Sequence, residues 1–414
     1  MTKKINLKKL DKTNCQKLRF DEIAKSITER VDPNNTELKI YIGLEHLDPE
    51  SIHIKRNGTR DDVKGQKLKC YPGDVIFGKR RAYQRKAAIV TQEGFCSAHS
   101  MVLRANPEVI EPKLFPFFLH SDQFMNRGID ISVGSLSPTI NWGTLKKQEF
   151  LLPPKEQQAK LAELLWAMDE VIEKELLVLN KLETLLNSYI KQILTSHIKN
   201  EEKETIKVKS LFQTKWEQRS YPIGWKNILL KNAIQNTQNG FAEGKRDKNG
   251  VPQLRMNNVT RSSRIDLSSV AMIPSRKNIN NYLINENDVM FCNTNSEDLV
   301  GKSIIADIQL KNFSFSNHFT RLRPKKNILL PKFLYIWLKY HFDIGLFESR
   351  CTRWIGQAAV QTESLLRLYI ILPTVEEQKF VSEYVINLEK KIDQVFSKIE
   401  ISKSLQKHLI NKVF

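Results

Sequence analysis

Two stretches with the same hydrophobic spacing, 220 positions apart, restrict this chain more than any other feature of it. Between Pro153 and Leu194, the residues Leu161, Leu165, Met168, Ile172, Leu179, Leu182, Leu186, Tyr189 and Ile193 step by four and three, with polar Glu175 completing the series. That alternation is the seam of a coiled coil. The second stretch carries Val381, Val385, Leu388, Ile392, Val395 and Ile399, then polar Ser402 and Gln406, then Leu409 and Val413, each 220 positions after its counterpart.

Each seam follows a similar opening, Leu152-Pro-Pro-Lys-Glu-Gln-Gln158 and Leu372-Pro-Thr-Val-Glu-Glu-Gln378. Proline is tolerated in a first helical turn, where its missing N–H has no partner to lose, and Glu156 suits the positive helix end. Further matches run upstream in the same order. Asp288-Val-Met-Phe291 answers Asp74-Val-Ile-Phe77, Ser316-Asn-His318 answers Ser97-Ala-His99, and Leu-Arg follows at 322–323 as at 103–104. Pro331 to Leu338 answers Pro112 to Leu119, and Gly250 to Arg255 takes the place of the strand-like run Lys39 to Gly43. The chain is therefore a duplication: a mixed α/β domain over 1–152, a helical spacer over 153–198, a second such domain over 199–372 with a solvated connector at 199–205, and a helical spacer over 373–414. Asp74 to Phe77 predicts a buried strand, Lys113 to His120 a helix, Phe20 to Ile27 an amphipathic segment, and Gly134 to Thr139 a polar loop.

Two matched seams in one chain gain stability by burying each other, at roughly 25 cal/mol per Å² of apolar surface. The connector is too short to return along the first helix, so the expected pairing is antiparallel, with one domain at each end and an approximate two-fold axis between them. The seam from Leu161 to Ile193 spans about 48 Å at 1.5 Å per residue, more than the roughly 34 Å of one DNA turn. Leu164, Val171, Val178 and Leu185 widen the first stripe, which implies either a further protein on that face or cover by the chain's own domains.

Charge narrows the partner. The chain has 65 basic and 46 acidic residues in 414, a net of +19, an excess that points to a polyanion and first to nucleic acid. No apolar run approaches the roughly 18 residues of a membrane span and no signal-peptide pattern opens the chain, so a cytoplasmic protein without a membrane partner is expected. Five scattered cysteines, with no C-x-x-C pair and no histidine at ligand spacing, read as free thiols, and no metal site is expected.

The two helix openings, together with Tyr41-Ile-Gly-Leu-Glu-His-Leu-Asp48, Tyr221-Pro-Ile-Gly-Trp225 and the paired Asp-Val strands, resemble the specificity subunit of type I restriction-modification enzymes over essentially the whole chain. The resemblance implies two target-recognition domains, each reading half of a bipartite double-stranded DNA site, with the helices as a ruler. It also implies two methyltransferase subunits and two ATP-dependent translocase-nuclease restriction subunits as partners. S-adenosylmethionine, ATP and Mg²⁺ would then belong to those partners, with no cofactor and no catalytic residue on this chain. Thr374-Val375 departs from the proline pair of the first opening, and the second seam is more polar at Ser402 and Gln406. The competing reading is a self-sufficient DNA-binding regulator that uses the coiled coil for assembly.

The densest basic cluster, Lys79, Arg80, Arg81, Tyr83, Gln84, Arg85 and Lys86, directly follows the Asp74 strand. Lys and Arg neutralise phosphates, Arg also bridges guanine, and Tyr and Gln add backbone or base contacts. The matching place in the second domain holds Asn293, Asn295 and Ser296, with Lys302 beyond, and Asn suits adenine. The alternative for both is a solvated loop. Further candidates are Arg60, Lys245, Arg246, Arg255, Asn257, Asn258, Arg350 and Arg353. His99 and His318 correspond but have no matched acid or nucleophile, so a structural role is expected of them.

Catalytic motifs are lacking. Gly240 to Arg246 has one residue too few between its glycines for a phosphate-binding loop and no Ser or Thr after the lysine. Glu201-Glu-Lys203 imitates a nuclease ending inside a charged run. Asn106-Pro107 lacks the second proline and aromatic residue of an amino-methyltransferase.

Overall fold

A computed structural model describes residues 14–194, 203–209, 217–276 and 278–414. The two seams form long helices, Lys155–Leu194 and Val375–Val413. The first begins directly after Pro153-Pro154. The second replaces that pair with a capping box, in which the Thr374 backbone N–H donates to Glu377 Oε2 at 2.7 Å and the Glu377 N–H donates to Thr374 Oγ1 at 3.3 Å. The departure at Thr374 thus exchanges one start signal for another.

The chain forms two compact units, residues 1–178 with 395–414, and residues 179–394, so each long helix contributes to both. In the first unit Leu161 and Leu165 share a core with Leu409, Ile410, Val413 and Phe414. There Gln406 Nε2 donates to the Leu165 carbonyl at 3.3 Å and Ser402 Oγ to Glu175 Oε2 at 3.2 Å. Numbers fall on one helix as they rise on the other, so the two segments run antiparallel. The polar residues that interrupt the seams are also the ones that pair. In the second unit Leu186, Ile190 and Ile193 pack with Val381, Val385, Leu388 and Ile392, and the Tyr189 and Tyr384 rings lie 4.4 Å apart. Met168, Leu179, Leu182 and Val395 are half-buried, and Ile172 and Ile399 are buried.

In the first unit an antiparallel sheet has the order Ala24–Ile27, Met101–Ala105, Val75–Phe77, Ala87–Ile89. A second sheet holds Arg30–Val31, Lys67–Cys70, Gly94–Cys96 and Tyr41–Ile42, the last two parallel. The second unit repeats the first sheet with Ile234–Asn239, Phe319–Pro324, Val289–Cys292 and Ser303–Ile305. Both central strands are completely buried, as the Asp-Val runs predict. The repeated Asp and Arg are one interaction. Buried Asp74 accepts from Arg104 Nε and Nη2 at 2.7 and 3.0 Å, and buried Asp288 from Arg323 at 2.5 and 2.8 Å. A bidentate guanidinium satisfies the carboxylate that burial would otherwise strand.

The last residue of each opening motif is a clamp. Gln158 accepts the Glu111 N–H at 2.7 Å and donates to the Val109 and Pro153 carbonyls at 3.1 and 3.0 Å. Gln378 accepts the Leu330 N–H at 2.9 Å and donates to the Ile328 and Pro373 carbonyls at 3.0 and 2.9 Å. Both are essentially buried, at 2% and 0% exposure. Antiparallel pairs Gln16–Arg19 with Glu149–Leu152, and Lys226–Leu229 with Tyr369–Leu372, bring the start of each domain beside the same junction.

Some expectations change. The amphipathic segment Phe20 to Ile27 divides in two: Phe20–Ile23 forms a single helical turn, and Ala24, at φ −150°, starts a strand that needs the pairing of Met101–Ala105. Of the expected connector, 199–202 lies outside the described residues. From Lys203 the chain is a strand, Lys203–Val208, paired with Glu217–Pro222 and anchored by buried Val208. Local charge concealed a pairing that lies further along the chain.

Replacing Gln158 or Gln378 by Ala leaves one N–H and two carbonyls unpaired and should destabilise the protein by on the order of 2–4 kcal/mol in urea unfolding. A change below about 0.5 kcal/mol in both variants would show that the clamps are dispensable. A second test concerns His341, buried against Trp337 with its ring N–H on the Trp337 carbonyl at 2.7 Å. Burial lowers its pKa from 6.5 to about 4. Below pH 6.5 the unfolded chain takes up a proton that the native state refuses until about pH 4, so this contribution to stability is complete above that window and lost as pH falls through it. His341→Phe should flatten the stability profile between those limits, and an unchanged slope would contradict the assignment.

Candidate nucleic-acid interface

Where the strand Val75–Phe77 ends, the chain turns through the basic loop predicted as a DNA contact. The loop closes by the Gly78 N–H on the Lys86 carbonyl at 2.9 Å, and Arg81 and Arg85 both take left-handed backbone angles, φ 58° and 52°. Such angles are strained for a side-chain-bearing residue and persist only where surrounding contacts hold them. Arg85 supplies some of those contacts: Nη2 donates to the His120 carbonyl at 2.6 Å and Nη1 lies 2.8 Å from Asp122. Lys86 Nζ donates to the Leu44 carbonyl at 2.7 Å and Arg80 Nε to Ser137 Oγ at 2.6 Å. The cluster therefore divides. Arg85 and Lys86 secure the loop through bonds within the fold, while Arg81 and Tyr83 stand exposed and Gln84 and Lys79 are half-buried.

A hairpin missed by the sequence reading completes this face. Val133 and Thr139 bridge each other around Gly134, Arg80 bridges Thr139, and the Arg81 N–H donates to the Pro138 carbonyl at 2.7 Å. At the tip Leu136 is 92% exposed and Val133 68%. The second domain has the same device: Thr352–Trp354 and Gln357–Ala359 turn at Gly356, φ 78°, and Thr294–Asn295 pairs with the returning strand. Its tip exposes Trp354 and Ile355 completely enough to contact a ligand. The sequence signal was available, an apolar pair beside glycine in an otherwise polar stretch, Trp354-Ile355-Gly356.

Three of the four candidate asparagines of the second domain are buried. Asn293 Nδ2 donates to Thr320 Oγ1 at 3.0 Å and Asn295 lies buried against Cys292. Asn258 Nδ2 donates to the Asp266 and Ser269 carbonyls at 3.0 and 2.8 Å. Lys302, 3% exposed, gives its ammonium to the Met256 and Val259 carbonyls, and burial lowers its pKa. All four are buried and tied within the fold, Asn295 through the Cys292 sulfur and the other three through carbonyl or hydroxyl partners. Arg255 is half-buried on the Gln253 side chain and the Glu243 carbonyl, Ser296 Oγ donates to Asp298 at 2.7 Å, and Arg353 pairs with Glu297 at 2.7 Å. Lys245, Arg246, Asn257 and Arg350 are exposed, as is Arg60, which also donates to the Thr36 carbonyl at 3.2 Å. The matched histidines diverge: His99 is exposed, whereas His318 is half-buried with its pKa lowered by burial and by Arg255.

The family model for the type I restriction modification DNA specificity domain matches residues 12–184 and 224–403, one copy for each repeat. The chain belongs to this family. Family relatives include a putative type I restriction enzyme MjaX specificity subunit from Methanocaldococcus jannaschii, 27% identical over 47% of this chain and 46% of that one, and the EcoDI specificity subunit of Escherichia coli, 26% identical over 45% and 42%. These matches span under half the length of those relatives. The StySPI specificity subunit of Salmonella potsdam is 22% identical over 89% of this chain and 75% of its own. The fold is shared with the S subunit of a type I system from M. genitalium, TM-score 0.57 at 12% identity over 97% and 96% of the two chains. It is shared too with a chain from a study of type I R-M complex assembly, TM-score 0.53 at 19% identity over 97% of each. Among the described residues of this family member no helix is long and apolar enough to cross a membrane, and no group of three or more His, Cys, Asp or Glu could hold a metal ion.

The split of the basic loop has a direct test. Arg81→Ala should weaken DNA binding and reduce its salt dependence while leaving unfolding unchanged. Arg85→Ala should do the reverse, lowering stability by about 1–3 kcal/mol as the His120 carbonyl and Asp122 lose their partner. Equal effects of the two variants on the salt slope would remove the distinction.

Proposed function

We propose that the chain is the DNA-reading and assembly subunit of a type I restriction-modification complex. Each recognition domain reads one half of a bipartite double-stranded target, and the long helices set the gap between the halves. The duplicated domain, each copy clamped by a buried glutamine to a helix that runs antiparallel to its mate, is the observation that carries this reading. Helices of 40 and 39 residues would each extend about 60 Å, enough to span more than one turn of DNA. Arg81, Tyr83 and the Leu136 tip are the reading surface of the first domain, and Lys245, Arg246, Asn257, Arg350 and the Trp354-Ile355 tip that of the second.

Two methyltransferase subunits and two restriction subunits are the proposed partners, and S-adenosylmethionine, ATP and Mg²⁺ are held by them. In this scheme the present chain performs no chemistry and acts in the cytoplasm. Apolar residues left exposed along the helices support a docking role. Val171, Val178 and Leu185, which widen the first stripe, are 50%, 46% and 45% exposed, so the chain's own domains do not cover them. On the second helix Phe380, Phe396, Ile401 and Leu405 are likewise exposed. Apolar rows of this kind are costly in water and mark interfaces.

The test is co-expression with a type I methyltransferase subunit from the same host, followed by methylome sequencing. A split adenine-methylated site supports the proposal, whereas tight specific binding by the chain alone, with no methyltransferase complex, would favour a regulator. Inserting four residues into the middle of one long helix should change the gap and leave both half-sites as they were. Altered half-site bases would defeat the ruler.

A further inference from the structure

The first domain contains a cavity of about 260 Å³ beside the basic loop, with Lys79 and Arg30 on its lining and the half-buried Trp142 on an apolar wall. No aspartate or glutamate lines it. Lys79 is half-buried, burial lowers its pKa, and among the described residues no hydrogen bond or ion pair engages its ammonium. A cation with no protein partner beside an open cleft free of carboxylates offers an anion a charge-assisted hydrogen bond.

The second domain shows what the same place looks like when it is closed. The strand register makes Asn293 the counterpart of Lys79 and Thr320 the counterpart of Met101, because Phe291 faces Thr320 as Phe77 faces Met101. Asn239 faces Thr320 across the next strand pair, and the Val360 N–H donates to the Asn293 carbonyl at 2.9 Å as the Ile140 N–H does to that of Lys79. There Asn293 Nδ2 donates to Thr320 Oγ1 at 3.0 Å, and Thr320 Oγ1 and Thr362 Oγ1 both donate to Asn239 Oδ1, at 2.7 and 3.1 Å. Polar groups at these positions satisfy one another. In the first domain an ammonium stands in their place, with open space beside it.

We propose that this cavity binds one backbone phosphate of the DNA, with Lys79 and Arg30 supplying positive charge and Trp142 a surface for the adjoining deoxyribose. The lining is cationic and hydroxylic without a carboxylate, which selects an anion. Its apolar wall suits a phosphodiester better than a bare ion. The cavity adjoins the loop that carries Arg81, so the phosphate would lie next to the bases read by the first domain. This assignment rests on the DNA-reading function proposed above and adds to it a fixed register point on one half-site only.

The experiment uses the full chain and a duplex carrying its target, with a single neutral methylphosphonate moved along the backbone of the first half-site. Lys79→Gln should weaken binding several-fold, by the same factor for every sequence, and reduce the salt slope by about one. At one backbone position the methylphosphonate should weaken the wild type by that factor and leave Lys79→Gln unaffected. If specific binding persists and no position couples to Lys79, the site is overturned while the DNA reading stands. If the wild type shows no specific binding, the reading itself fails. Thermal stabilisation of the wild type but not Lys79→Gln by millimolar inorganic phosphate, without methylphosphonate coupling, would assign the cavity to a free anion and overturn the backbone contact.

Discussion

The buried amides of Gln158 and Gln378 are the joints on which the architecture depends. Each satisfies a loop N–H and two carbonyls at the point where a recognition domain becomes a long helix. A helix start leaves N–H groups without intrahelical partners, and the loop before it adds carbonyls that burial removes from water. One side chain with two donors and an acceptor answers several of these at once. A carboxylate at the same position could accept but not donate, and it would leave the two carbonyls unpaired. Glutamine is therefore the residue that allows this junction to be buried, and burying the junction fixes the direction in which each helix leaves its domain.

The seam itself is made specific by its imperfections. An all-apolar pair of seams would tolerate sliding by a heptad, because each register buries similar surface. Glu175 against Ser402, and Gln406 against the Leu165 carbonyl, are satisfied in one register alone. Shifting the helices would break these part-buried bonds, a cost that an all-apolar seam would not carry. On the proposed reading, where helix length sets the gap between half-sites, fixed register is what makes the length meaningful.

Much of this was legible in the chain, and what was not has a common cause. The duplication, the central strands, the long helices and the helix openings could be read because they depend on local periodicity and on residues repeated at a fixed distance. The strand Lys203–Val208 was not legible because it exists only through pairing with Glu217–Pro222, and the division of Phe20 to Ile27 into a turn and a strand depends in the same way on Met101–Ala105. The candidate site was less legible still. Arg81 and Arg85 are alike in sequence, and only the fold gives the His120 carbonyl to one and solvent to the other. Lys302, Asn258, Asn293 and Asn295 carry the chemistry of DNA readers but spend it on the fold's own polar groups. Leu136, Trp354 and Ile355 were passed over because a search for charge does not see apolar tips.

The two domains keep one skeleton and vary what it presents. Asp74 with Arg104 and Asp288 with Arg323 hold the central strands in the same way, and the glutamine clamps are nearly superimposable in their partners. Beyond the end of those strands the resemblance stops: Lys79 faces a cavity where Asn293 closes a network, and a leucine tip stands where the other domain has tryptophan and isoleucine. Buried polar pairs tolerate few substitutions, because losing one partner strands the other, whereas loop and hairpin-tip residues change with little effect on stability. A recognition domain built this way can alter the sequence it reads without altering how it meets its helices. On the proposed reading, that separation is the physical condition for two copies of one domain to read two different half-sites within a single chain.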